Sequence, residues 1–173
     1  MPVPELTPIP QEVFVEAIHV LARQVAAAGW VPSFLIGIGR GGLTPAVFLS
    51  HAAGLPMLSI DYSSQVPDFA AEPLAKLARR TRQGDRLLFV DDINDTGRTI
   101  AHLRSVLADD GARTENIRFA TLIDNIRSMA RVDYAARTID RAITKDWFVF
   151  PWEAVAPTGT ILEDAAAVPE RTA

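Results

Sequence analysis

The chain contains no cysteine. That absence excludes disulfides, thiolate metal sites and a cysteine nucleophile. Positive charge is not in excess either: 17 Lys and Arg stand against 21 Asp and Glu, a formal net charge of −4. Without a basic stripe, no binding to nucleic acid or to an anionic membrane is expected. No apolar run approaches the length of a membrane span. The first ten residues are rich in proline and lack a basic region followed by an apolar run, so they do not read as a secretory signal. A cytoplasmic location is the expectation. Histidine is scarce, and His19, His51 and His102 fall in predicted helices at spacings that suggest no metal site.

What is present describes one globular domain. A chain of 173 residues, 49% hydrophobic and 22% charged, is long enough to bury a core of its own. Residues 10–28 read as a helix, with Phe14, Ile18, Leu21 and Val25 on one face and Gly29 as a stop. An apolar run at 34–38 reads as a buried strand leading into a glycine loop. A helix resumes at 43–53, and 57–60 forms a second strand. The stretch 61–84 is irregular and holds a short basic helix at 74–80. A strand at 86–90, an amphipathic helix at 99–107, a strand at 117–123 and a last strand at 147–150 follow. The tail, 157–173, is small and polar and is expected to be flexible. Strands alternating with helices predict β-α-β units and an α/β domain with a mainly parallel twisted sheet flanked by helices. Ligands of such sheets bind beyond the carboxyl ends of the strands.

Two loops sit at those ends. In the first, the strand residues Leu87, Leu88, Phe89 and Val90 lead into Asp91, Asp92, Ile93, Asn94, Asp95, Thr96, Gly97, Arg98 and Thr99. Backbone N–H groups at a helix N-terminus cradle phosphate, and Gly97 allows close approach. Thr96 and Thr99 add hydroxyl donors. Paired carboxylates can accept hydrogen bonds from sugar hydroxyls or hold a hydrated Mg²⁺. A capping Asp with two solvated acids would explain any one of these residues, but not the combination.

This segment resembles the phosphoribosyl pyrophosphate (PRPP) motif of type I phosphoribosyltransferases, a strand with two acids followed by D-T-G-x-T. The resemblance implies that Thr96, Gly97, Arg98 and Thr99 hold the 5′-phosphate. Asp91 and Asp92 would bind the ribose hydroxyls and the metal, directly or through water. Asp95 would sit beneath the incoming base as a candidate general base. It also implies the fold of that family, one domain over 1–156 that includes a small hood, with Mg²⁺ as cofactor and a homodimer or higher homo-oligomer.

The second loop is Gly37, Ile38, Gly39, Arg40, Gly41 and Gly42. Alone it fits G-x-G-x-x-G, and Asp61 falls near the spacing of a ribose-binding acid, so a dinucleotide-binding enzyme is a rival reading. That rival leaves 91–99 without a role, has no need of an arginine inside the loop, and calls for more chain than is present. In the phosphoribosyl reading, Arg40 and the Gly41 backbone stabilise negative charge on departing pyrophosphate. The run from Arg40 to Ala46 looks like the family's pyrophosphate loop and following helix.

A third segment, residues 145–153, is similar to the W-x-x-x-P-W-[DE] hood of bacterial xanthine–guanine phosphoribosyltransferases and their archaeal purine relatives. Trp147 would stack on the base, worth on the order of 1–3 kcal/mol, and the Phe148 backbone would read its edge. Trp152 is better explained as a packing aromatic. One departure stands out: where purine members carry a lysine after the fourth main strand, this chain has Asn125. An amide donates or accepts, whereas an ammonium only donates, and Asp124 adds an acceptor. The departure points to a base with an amino group or to an unusual base. Residues 63–67, including Ser63, Ser64 and Pro67, stand in the place of the family's mobile loop, and a plain surface loop is the alternative. Arg79, Arg80 and Arg82 read as a solvated basic face. The expected reaction is transfer of a 5-phosphoribosyl group from PRPP to a purine-like base with release of pyrophosphate. A regulator that senses PRPP or nucleotide without turnover is the alternative.

Overall fold

The computed structural model describes residues 4–62 and 70–167. The expected mobile loop around Ser63, Ser64 and Pro67 lies outside the described residues. The elements are β1 (Leu6–Pro8), α1 (Gln11–Ala27), β2 (Phe34–Ile38), α2 (Gly39–Ala53), β3 (Met57–Ile60), α3 (Ala71–Arg82), β4 (Leu87–Asn94), α4 (Arg98–Asp109), β5 (Ile117–Asn125), β6 (Tyr134–Ile139), β7 (Trp147–Val149) and α5 (Thr158–Ala166).

Five strands form a parallel sheet in the order β3-β2-β4-β5-β6. Period-two alternation divides their apolar side chains between two faces. Leu35, Leu88 and Val90 pack with Phe14, Ile18 and Leu21 of α1 and Leu49 of α2. Phe34, Ile36 and Phe89 turn the other way, against Leu77 of α3 and Leu103 and Leu107 of α4. Burial on both faces makes the central strands continuous apolar runs, and this is why 34–38 and 86–90 are legible as strands.

β1 and β7 pair separately as a parallel ribbon, with Leu6 opposite Trp147 and Pro8 opposite Val149. Trp152, in the turn after β7, is a packing aromatic: its ring lies 4.9 Å from that of Phe150 and 5.3 Å from that of Phe14.

Several boundaries differ from the sequence reading. α2 begins at Gly39 rather than at residue 43, so most of the expected glycine loop is the first helical turn. β4 continues through both acids to Asn94, because Asp91, Ile93 and Asn94 stay paired with Thr121, Ile123 and Asp124 of β5. Residues 158–166, expected as flexible tail, form α5, which buries Ala165. The basic face of α3 is partly engaged: Arg80 pairs with Asp85 at 2.5 Å, and Arg82 donates to the carbonyls of Asp110 and Gly111.

Candidate active site

β2 lies between β3 and β4, so the sheet order reverses between β2 and β4. The crevice at such a switch point is the usual ligand site of an open parallel sheet. Here it is flanked by the first turn of α2 and by the turn between β4 and α4.

That turn is built on Gly97, which caps α4 with φ 85°. A Cβ at this position would stand 2.5 Å from both the Ala130 nitrogen and Ser128 Oγ. Only glycine combines this backbone with so close a neighbour. The segment after β5 supports the turn from behind. Met129 N–H donates to the Thr96 carbonyl at 3.2 Å. Asn94 Nδ2 donates to Asp124 Oδ1 and to the Ala130 carbonyl, both at 2.7 Å, while Ser128 Oγ donates to Asn94 Oδ1 at 3.0 Å. Asn94 and Ser128 carry no signal in the sequence, since their role depends on a contact across 34 positions. The product is a braced helix N-terminus flanked by half-buried Thr96 and Thr99, which suits a phosphate group.

Asp91 and Asp92 are half-buried at the end of β4. Asp91 Oδ1 accepts the Asp92 N–H at 3.0 Å, and Asp92 Oδ1 accepts the Ile93 N–H at 2.7 Å. Asp92 Oδ2 lies so close to Gly41 that a Cβ there would stand 2.5 Å away. The glycine therefore lets α2 come down onto the acid pair. Among the described residues no group of three or more His, Cys, Asp or Glu could hold a metal ion. Two oxygen ligands with room for water and a phosphate fit Mg²⁺, which keeps much of its hydration and shares its ligands with substrate.

The acids line a cleft of about 120 Å³ together with Asp95, Thr99, Arg141, Trp147, Phe148 and Glu153. The turn, the carboxylates and the hood aromatics thus share one space. Trp147 and Val149 direct main-chain groups towards β1, through Trp147 N–H to the Glu5 carbonyl at 2.7 Å and Ile9 N–H to the Val149 carbonyl at 2.8 Å. The main-chain groups of Phe148 between them face the opposite edge of β7.

Asp95 is buried, and its carboxylate is gripped by Arg141. Arg141 Nε lies 3.0 and 3.1 Å from the two carboxylate oxygens, and Nη2 lies 2.7 Å from Oδ2. The expected base-facing acid therefore has a guanidinium on it. Nothing in the sequence singles out Arg141.

Asn125 does not line the aromatic cleft. It borders a neighbouring depression with Thr96, Arg127 and Lys145. Its Nδ2 donates to the Asp95 carbonyl at 3.0 Å, and its Oδ1 accepts the N–H groups of Arg127 and Arg141, each at 3.2 Å. The short side chain reaches the back of the turn.

Arg40 is exposed on the first turn of α2. Glu153 lies near it: burial raises the Glu153 carboxyl above its ordinary range, and the Phe150 N–H bond and the Arg40 charge oppose that shift. His19, His51 and His102 are exposed on α1, α2 and α4. No helix among the described residues is long and apolar enough to cross a membrane.

Comparison with known proteins agrees with this arrangement. A xanthine-guanine phosphoribosyltransferase of Idiomarina loihiensis is 28% identical over 125 residues, 69% of this chain and 70% of that protein. A purine phosphoribosyltransferase structure from Pyrococcus horikoshii superposes with a TM-score of 0.62 at 25% identity, covering 88% of this chain and 97% of the other. The xanthine-guanine-hypoxanthine phosphoribosyltransferase of Helicobacter pylori shares the fold, with a TM-score of 0.64 at 22% identity over 92% of this chain and 99% of the other. Residues 6–156 match the phosphoribosyl transferase domain, a span that takes in the glycine run 37–42, Asp91 and Asp92, the turn before α4 and β7. The chain belongs to the phosphoribosyl transferase domain family and is an enzyme of that class.

Proposed function

We propose that the enzyme transfers a 5-phosphoribosyl group from PRPP to a purine-like base, acting with Mg²⁺ as a cytoplasmic homo-oligomer. The observation that carries this reading is the single cleft bounded by Asp91, Asp92, Thr99, Trp147 and Phe148. A phosphate turn, sugar-binding acids and an aromatic platform in one space match the parts of a nucleotide in order. The names of the similar proteins, purine and xanthine-guanine phosphoribosyltransferases, point to the same substrate class.

In the reaction, the bond from ribose C1′ to pyrophosphate oxygen breaks and its electron pair leaves with pyrophosphate. A ring nitrogen of the base donates its lone pair to C1′ and gives up its proton to water. The N–H groups of residues 96–99 hold the 5′-phosphate, and Asp91 and Asp92 orient the ribose hydroxyls. Arg40 meets the charge that develops on the leaving group, where fixed donors act most strongly. Trp147 stacks on the base, and Phe148 presents main-chain groups to its edge. Mg²⁺, held by Asp91 and Asp92 with water, would neutralise charge on the diphosphate.

A second reading is a PRPP- or nucleotide-sensing protein without turnover. It draws support from Asp95, whose carboxylate is bonded to Arg141. One experiment separates the two: a pyrophosphate-release screen with PRPP, Mg²⁺ and a panel of purines and pyrimidines. Release with at least one base supports transfer. Stabilisation by PRPP with silence across the panel supports sensing.

A further inference from the structure

Among the described residues that line the cleft, Arg141 is the one cation. It is 6% exposed. Its Nε and one Nη2 hydrogen bond the Asp95 carboxylate. Its Nη1 donates to the carbonyls of Thr144 at 3.2 Å and Asp146 at 2.6 Å. The Phe148 ring centroid lies 5.3 Å from the guanidinium carbon. A guanidinium has five N–H groups in a fixed fork. These bonds engage both Nη1 hydrogens, the Nε hydrogen and one on Nη2. The second Nη2 hydrogen has no acceptor among the described residues, and Arg141 lines both the cleft beside Trp147 and Phe148 and the neighbouring depression beside Asn125.

From this we infer that Arg141, rather than Asn125, selects the base, by donating its remaining Nη2 hydrogen to a carbonyl oxygen on the ring. The inference rests on the phosphoribosyl transfer proposed above. Asn125 is unsuited to the task, because its oxygen accepts two backbone N–H groups and its nitrogen is bonded to the Asp95 carbonyl. The position of Arg141, by contrast, is fixed by an ion pair, two carbonyls and an aromatic ring. A donor that cannot turn away discriminates in both directions. It rewards a carbonyl, and it is left facing another donor when an amino group stands there. The expected substrate class is therefore an oxo-base. This reverses the expectation from Asn125 of a base carrying an amino group.

The test compares hypoxanthine, guanine and xanthine with adenine in the wild type, Arg141→Met and Arg141→Lys, with PRPP affinity measured in parallel. The wild type is expected to prefer the oxo-bases. Arg141→Met should raise their KM by about tenfold or more and narrow the preference. The PRPP constant should stay within about twofold. Arg141→Lys, which keeps a donor, should recover part of the preference. An unchanged preference in Arg141→Met, or an equal loss for PRPP and base, would overturn the inference. Should neither variant fold, a crystal structure of the wild type with an oxo-purine nucleoside monophosphate decides. Nη2 within about 3.2 Å of the ring carbonyl supports the assignment; that oxygen bonded to Asn125, or to no side-chain donor, refutes it. If PRPP with Mg²⁺ fails to stabilise the wild type and no base releases pyrophosphate, phosphoribosyl transfer itself falls, and this inference with it. If PRPP binds and base preference ignores Arg141, only the inference falls.

Discussion

Arg141 and Asp95 form a buried two-point ion pair at the turn between β4 and α4, with Nη2 2.7 Å from Oδ2 and Nε 3.0 Å from Oδ1. The pair joins the start of the turn after β4 to the loop before β7. Removing one partner strands the other charge where water cannot reach it. Arg141→Ala should therefore destabilise the fold by about 3–5 kcal/mol, or on the order of 10 °C in Tm. The double variant Asp95→Asn/Arg141→Met should recover part of that loss, because it removes both charges. Thermal and urea unfolding of the three proteins check this; a single variant as stable as the wild type would show that the pair is solvated.

Gly97→Ala should damage the turn in two ways. The backbone there has φ 85°, and the new methyl would meet Ala130 and Ser128 at 2.5 Å. Strain of this kind costs about 1–3 kcal/mol. The sharper consequence is functional: the N–H groups of residues 96–99 should lose their alignment. Thermal shift with PRPP and Mg²⁺ should fall well below the wild-type shift, whereas Gly159→Ala, in open space on α5, should leave it unchanged.

How much of this was legible in sequence depends on the range of the interaction. Strands buried on both faces, such as β2, announce themselves as apolar runs, and the helical face of α1 follows from Phe14, Ile18, Leu21 and Val25. The turn between β4 and α4 is readable because its acids, hydroxyls and glycine are consecutive residues. β1 is not, since three residues ending in proline form a strand only by pairing with β7 across the chain. β6 is also hidden: Tyr134 and Ile139 are buried, but Arg137 and Thr138 between them are exposed and break the apolar pattern. Arg141 was invisible for the same reason, because 46 positions separate it from Asp95. Asn125 was visible as a departure from the family pattern, yet only the structure shows its amide bonded to the back of the turn.

Arg40→Ala should lower kcat more than it weakens binding of a nucleoside monophosphate. The argument is chemical: Arg40 is exposed at the start of α2, and its proposed partner is the leaving diphosphate, which the product nucleotide no longer carries. Loss of one such charge-stabilising donor typically costs about 10²–10³ in rate. Steady-state kinetics beside calorimetric titration of the monophosphate measure both; an equal loss in the two would remove Arg40 from the leaving-group site.

Asp124 gives a test in pH. Burial raises its carboxyl above the ordinary carboxylate range, and the Asn94 hydrogen bond and the Arg131 charge only partly oppose this. The native state then keeps its proton to higher pH than the unfolded chain. This group's stabilising contribution is complete below the ordinary carboxylate value and is lost as pH rises through the raised native value. Asp124→Asn removes the titration and can keep an oxygen facing Asn94. Tm of the variant minus Tm of the wild type should therefore become more positive from acid to neutral pH. A difference that stays flat over that interval would contradict the assignment.

The most direct measurement is a crystal structure of the protein with PRPP and Mg²⁺. The account predicts the 5′-phosphate on the N–H groups of residues 96–99, with the ribose hydroxyls against Asp91 and Asp92. A phosphate bound at any other position, with residues 96–99 bare, would contradict it.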